Sequence, residues 1–368
     1  MSLMVQELPC QKGHLGLLTL NAPGSLNALS GAMVTEALDT LERWARDERI
    51  SLVVLQGAGE RAFCAGGNII ELYRSLTGAG DPEAPARFFS TEYRLDYLLH
   101  GYPKPVVGIA QGAVMGGGLG LLSACRYRLV TPDVALAMPE ISIGLFPDVG
   151  ASWFLNRLPG RIGLFMGLTG ARLNCTDAIR IGLADLVVAQ DHRENLLARL
   201  QEQSWTGAPE ADDIRLLQLL NQAEIADYRS LPAGHLEQHE QDIARLAAGD
   251  DLPEIVDRLL AADISSDWWQ ACMANLRGGC PVTAWLIWSQ LKKAQQMSLK
   301  DIFRMELAMA LECTRRPDLA EGIRARLVDR DQNPAWSYAD LRSVPREVVD
   351  AHFQPEWDDE SDPMQLTD

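Results

Sequence analysis

Three consecutive glycines, Gly116, Gly117 and Gly118, lie between an apolar β-type run, Val106–Ala110, and an apolar stretch that ends near Ala124. A strand, a glycine turn and a helix in that order belong to an α/β fold. They also predict a helix whose first N–H groups are open. Those groups have no acceptor inside the helix, and no side chain screens them. Tight helix–strand packing is the other reason for such a triplet. Two carboxylates follow eight positions apart, Glu140 after Pro139 and Asp148 within Phe146-Pro147-Asp148-Val149-Gly150. Open N–H donors and nearby carboxylates are the parts for stabilising an oxyanion and for acid–base or nucleophilic work.

The remaining sequence sorts into three stretches. Residues 1–192 alternate β-type runs (15–20, 52–55, 127–130, 134–137) with helical patterns (30–46, 68–76, 86–99), and Ser30 is placed to cap the first helix. Residues 193–355 read as a helical region packed on that core. Its Trp205, Trp268, Trp269, Trp285, Trp288 and Trp336 are expected to pack between helices. Residues 356–368 are acidic and expected to be disordered. His235 and His239 lie four apart on a helix rich in Glu and Gln. They are read as part of a solvated face, with no metal expected.

Composition narrows the functional classes. A formal net charge of -17 repels polyanions, so neither nucleic acid nor an anionic membrane is an expected partner. No apolar run approaches the ~20 residues of a membrane span. The first residues have the layout of neither a signal nor a transit peptide. Seven cysteines with no Cys-x-x-Cys pair suggest reduced thiols, and the cytoplasm is the expected location.

Five ordered motifs resemble the crotonase (enoyl-CoA hydratase/isomerase) superfamily. They are Leu20-Asn21-Ala22-Pro23 with Asn27-Ala28-Leu29, Phe63-Cys64-Ala65-Gly66-Gly67-Asn68, the glycine triplet, the segment from Met138 to Gly150, and Glu321-Gly322-Ile323-Arg324-Ala325 with Asp329-Arg330-Asp331-Gln332-Asn333-Pro334-Ala335-Trp336. The last two are similar to the branch that hydrolyses 3-hydroxyisobutyryl-CoA. The resemblance implies a spiral of ββα units with a helical C-terminal region, an acyl-CoA ligand and self-association, possible as trimers or pairs of trimers.

The resemblance also assigns roles. Gly67 and Gly117 match the two backbone N–H donors of the oxyanion hole. Glu140 matches the main catalytic carboxylate, as base towards water or as nucleophile. Asp148, otherwise readable as a turn cap, would hold the substrate hydroxyl or the attacking water. Glu92 matches a substrate-binding carboxylate. Ala28, Ala65 and Ile69 match positions along the CoA adenine or pantetheine. Asn68 stands in the same substrate-binding stretch where Asp is usual, and it is expected to cap the following helix. Gly120 replaces the second Glu of hydratases, which disfavours adding water across a double bond. The expected reaction is hydrolysis of a short hydroxyacyl-CoA, 3-hydroxyisobutyryl-CoA first, as in valine breakdown, with no metal or redox cofactor. The alternatives are enoyl-CoA isomerisation or hydration, and then CoA binding without turnover.

Overall fold

The computed structural model describes residues 2–189, 192–225, 227–355, 357–358 and 361–366. They form two compact units, each discontinuous in sequence.

The first unit comprises residues 1–67, 95–136 and 173–234. Its nine strands are β1 (Leu3–Pro9), β2 (His14–Leu20), β3 (Ile50–Gly57), β4 (Ala62–Cys64), β5 (Val106–Ala110), β6 (Ala113–Met115), β7 (Tyr127–Val130), β8 (Ala135–Ala137, ending at the unit's boundary) and β9 (Leu186–Val187). Six of them make a sheet in the order β1-β2-β3-β5-β7-β9, and β4-β6-β8 make a smaller one. β1 is antiparallel to β2, while β2, β3, β5, β7 and β9 run parallel. β5 is buried at every position and β2 at all but the first. Such continuous apolar runs mark parallel strands covered on both faces.

Helices supply the covers. The helix Gly31–Arg46 begins at Ser30, whose hydroxyl accepts from the Met33 N–H at 3.2 Å. It buries Met33, Val34, Leu38, Leu41 and Trp44. On the sheet, Leu15, Leu52, Val54, Val107 and Ile109 share one core with Leu196, Leu200, Trp205, Leu216 and Leu220. Those last residues belong to or follow the helices His192–Gln201 and Pro209–Ala223. The helices that follow the expected boundary at residue 192 thus share the core of the sheet. The apolar faces of these two helices cover the sheet, and β9 continues into them through the bond from the Ile225 N–H to the Val187 carbonyl at 2.8 Å.

The second unit comprises residues 68–94, 137–172 and 235–368, so far as they are described. It is helical, with Phe165 and Trp269 at its core, their ring centroids 5.3 Å apart. Of the six tryptophans read as packing residues, Trp205, Trp269 and Trp288 are buried and the other three half-buried. The histidine pair departs from expectation. His239 is buried, stacks on Trp268 at 5.4 Å and shares a 2.8 Å hydrogen bond with Ser266, so it packs the helix rather than facing water. Of the acidic tail, residues 356, 359–360 and 367–368 lie outside the described residues. Within the rest, Asp362 and Met364 are buried, and Asp362 pairs with Arg304 at 3.2 Å, so this part is packed where disorder was expected. Among the described residues, no helix is long and apolar enough to cross a membrane.

Candidate active site

The glycine turns of the first unit are built by its two sheets. β4 pairs with β6, which sets the segment after Cys64 beside the segment after Met115. Gly66, at φ +94°, places its Cα hydrogens so close to the second turn that an added Cβ would lie 3.1 Å from the Met115 carbonyl and 3.6 Å from the Gly117 nitrogen. Gly116 precedes the helix Gly117–Ala124, at whose start the Gly117 N–H has no acceptor within the helix. The Leu29 N–H donates to the Gly66 carbonyl at 2.8 Å, which ties down the turn beside Gly67. Gly117 offers a donor, whereas a Cβ on Gly118 would come within 2.3 Å of the Cys64 carbonyl, so Gly118 is a packing requirement.

Two buried amides fix the turn that precedes β4. The Asn27 side-chain NH2 donates to the carbonyls of Ala58 at 3.0 Å and Ala62 at 2.9 Å, and its carbonyl accepts from the Ala22 N–H at 2.9 Å. The Gln111 NH2 reaches the Gly57 and Gly59 carbonyls at 3.0 and 2.9 Å. Ala28 and Ala65 are half-buried in this unit. In the second unit, Asn68 and Ile69 open the helix Ile69–Leu76. Asn68 does not cap it as expected. Its ψ of 75° lies away from the extended N-cap geometry, its side chain makes no capping bond, and its carbonyl accepts from the Glu71 N–H at 3.0 Å.

The second unit also holds the three acidic residues. Glu92 lies on the helix Ala84–His100, Glu140 opens a short 3-10 turn, Glu140–Ile143, and Asp148 lies in the loop that follows. All three are at most 5% exposed. One oxygen each of Glu92 and Glu140 is buried without a hydrogen-bond partner. Burial first, then the neighbouring Asp148, pushes the Glu92 carboxyl well above the usual carboxylate range, and the same two causes, with Glu92 adding to them, raise Glu140. Burial lifts Asp148 less, to about 6, because the Tyr93 hydroxyl donates to it at 2.7 Å. No cationic side chain is among the groups that shift any of the three. Burial and mutual repulsion both disfavour ionising all three together.

Three further residues hold this arrangement, and the sequence reading did not single them out. Tyr93 anchors the Asp148 carboxylate. Gln290 donates to the Pro147 carbonyl at 2.8 Å. Glu306, fully buried on the helix Leu299–Arg315, accepts from the Gly150 and Ser152 N–H groups at 2.7 and 2.8 Å. Glu306 had a signal in the sequence, since it falls on the apolar face with Phe303, Leu307 and Ala310. The C-terminal motif supports the Glu140 turn from behind. A Cβ on Gly322 would lie 2.4 Å from the Ile143 carbonyl. The stretch after it is tied down by Arg324, which binds Glu321 at 2.8 Å, Asp329 at 2.6 Å and Asp331 at 2.7 Å.

A family model described as enoyl-CoA hydratase/isomerase matches residues 15–353. The mitochondrial 3-hydroxyisobutyryl-CoA hydrolase of Danio rerio is 36% identical over 344 residues, covering 93% of this chain and 87% of the relative. Its Homo sapiens counterpart is 35% identical over 347 residues, covering 94% and 87%. The 3-hydroxyisobutyryl-CoA hydrolase 1 of Arabidopsis thaliana is 34% identical over 357 residues, covering 95% and 91%. Among solved structures, a carnitinyl-CoA dehydratase from Mycobacterium thermoresistibile superposes with a TM-score of 0.84 at 34% identity over 96% of each chain. An enoyl-CoA hydratase from Rhodobacter sphaeroides 2.4.1 gives 0.83 at 34% identity over 97% of this chain and 98% of that one. The α/β fold expected from the motifs is the fold of these structures, and this chain belongs to the enoyl-CoA hydratase/isomerase family.

Proposed function

We propose that this protein hydrolyses a short hydroxyacyl-CoA thioester, 3-hydroxyisobutyryl-CoA, to 3-hydroxyisobutyrate and CoA. The observation that carries the reading is the buried acidic set, in which Asp148 is fixed by Tyr93 and Glu140 keeps an unpartnered oxygen. The thioester oxygen gains negative charge as the carbonyl carbon is attacked, and the N–H groups of Gly67 and Gly117 take that charge. Glu140 delivers the attack, either by removing a proton from water or by forming a transient anhydride that water then opens. The C–S bond breaks, the acyl carbon keeps the oxygen from water, and the thiolate leaves as CoA. Asp148 and Glu92 accept the substrate hydroxyl. Ala28, Ala65, Asn68 and Ile69 line the CoA portion. The step is redox-neutral and is drawn with no metal or redox cofactor.

Hydration or isomerisation of an enoyl-CoA is the second reading, favoured by the names of the two superposed structures. Hydration is disfavoured by Gly120, a buried helical glycine at the position where hydratases carry a second Glu. The residues also fit a role in valine breakdown, acting as a self-associating, trimer-based assembly. The seven free thiols fit a reducing compartment such as the cytoplasm, although the animal relatives are named mitochondrial.

The test follows free thiol from 3-hydroxyisobutyryl-CoA with wild type, Glu140→Gln and Asp148→Asn. The expected result is rapid release by wild type and a loss of ~10²–10⁴-fold in Glu140→Gln, the usual weight of a positioned acid or base. Equilibration of an enoyl-CoA without any thiol release would replace this reading with the second one.

A further inference from the structure

The acidic set lacks something that a site for a neutral hydroxyl does not require it to lack. Glu92, Glu140 and Asp148 are at most 5% exposed, and among the described residues no cationic side chain is one of the groups that shift them. Two of their oxygens have no hydrogen-bond partner. Tyr93, Glu306 and Cys313 also sense Asp148, and none of them carries positive charge. A buried carboxyl without a partner is costly, and a cationic donor relieves it more fully than a neutral one. A hydroxyl donates a single proton, whereas an ammonium donates three and adds charge.

We propose that this site takes acyl-CoA esters carrying a 3-amino group, bound as the ammonium between the carboxyl groups of Glu92 and Asp148, and that it excludes esters whose acyl chain ends in a carboxylate. The inference rests on the reading above that these residues hold the 3-substituent. On binding, the ammonium lets a second carboxyl of the set ionise, so a proton leaves for solvent. Hydrolysis then runs as for the hydroxy ester, with water adding to the carbonyl carbon, the C–S bond breaking and the amine keeping its proton. An acyl carboxylate would add a fourth acid to a set that already cannot fully ionise.

Calorimetric titration with four CoA esters tests this, using the Glu140→Gln protein so that the esters are not consumed during the measurement. They are isobutyryl-CoA, 3-hydroxyisobutyryl-CoA, 3-aminoisobutyryl-CoA and methylmalonyl-CoA, each measured near neutral pH in two buffers of different ionisation enthalpy. The CoA portion is common to all, so differences report the acyl group. The amino ester is expected to bind about tenfold or more tighter than isobutyryl-CoA, with proton release, and methylmalonyl-CoA about tenfold or more weaker. With Glu92→Gln added, the amino ester should lose most of its advantage. An amino ester that binds no tighter than isobutyryl-CoA, or without proton release, overturns the inference. Thiol release from the hydroxy ester, followed separately, reads the hydrolase assignment, so the failure of one is distinct from the failure of the other.

Discussion

Replacing Glu306 with Gln removes a buried acid while keeping its shape. Burial pushes this carboxyl from 4.5 up to about 8, even though the Gly150 and Ser152 N–H groups pull it the other way. Between those two values the folded protein holds a proton that the unfolded chain has released. Stability from this group is therefore intact below the unfolded value and is lost as the pH rises through the folded one. By linkage, a gap of this size corresponds to about 5 kcal/mol as a ceiling. Gln carries no such pH dependence. It does turn one of its two acceptors into an NH2 that meets a backbone N–H, at a cost of about 1–3 kcal/mol. Wild type should accordingly be the more stable protein below about pH 5, the two curves should cross between about pH 5 and 7, and Gln should be the more stable above about pH 8. Urea unfolding midpoints of both proteins at a series of pH values measure this. An offset that stays constant across the series would refute the assignment of a protonated, buried Glu306.

Other expectations follow from the same geometry. Thiol release should rise with pH through and above about 6, because burial raises Glu140 and lifts Asp148 to about that value, and the ionised forms do the work; a rate that falls over this range contradicts those roles. Gly118→Ala should lower the melting temperature by the equivalent of about 1–3 kcal/mol, since its Cβ would sit 2.3 Å from the Cys64 carbonyl. Gly31→Ala, at a first helical position with nothing within 4 Å, should change stability by no more than ~0.5 kcal/mol, and scanning calorimetry compares the two. Exhaustive dialysis against a chelator should leave thiol release unchanged, and a loss restored by a divalent ion would overturn the metal-free reaction.

The strands that carry long apolar runs, β2, β3 and β5, were legible because burial on both faces leaves a continuous signature. β1 was not, since it alternates half-buried and exposed residues at the sheet edge and so reads as polar chain. The surface that a helix covers was hidden for a related reason. Helical periodicity reports that a helix buries a face, but not which surface it covers, and the faces of His192–Gln201 and Pro209–Ala223 cover the sheet. At the candidate site, Glu140, Asp148, Gly67 and Gly117 stood out through motif spacing. Tyr93, Gln290 and Glu306 did not, because their partners lie 55, 143 and 154–156 positions away in sequence. Only the fold brings such pairs together. A Glu on the apolar face of a helix was the one local sign, and it indicates a buried acid without indicating what that acid binds.

An all-acidic set is a coherent design for attacking a thioester only if the charge that develops on the carbonyl oxygen is carried by neutral donors. A Lys or Arg serving the oxyanion would also pair with a carboxylate, lower its basicity and hold it in place. In the proposed reaction the oxyanion is given to backbone N–H dipoles, which add no charge. Burial then works in one direction. It makes Glu140 a stronger base or nucleophile than a solvated carboxylate, at the cost of the fraction ionised at a given pH. Tyr93 offsets part of that cost at Asp148, where its hydroxyl favours the ionised form. The charge at Asp148 in turn keeps Glu140 raised, so the two carboxyls are set apart by their environments rather than by their residue types.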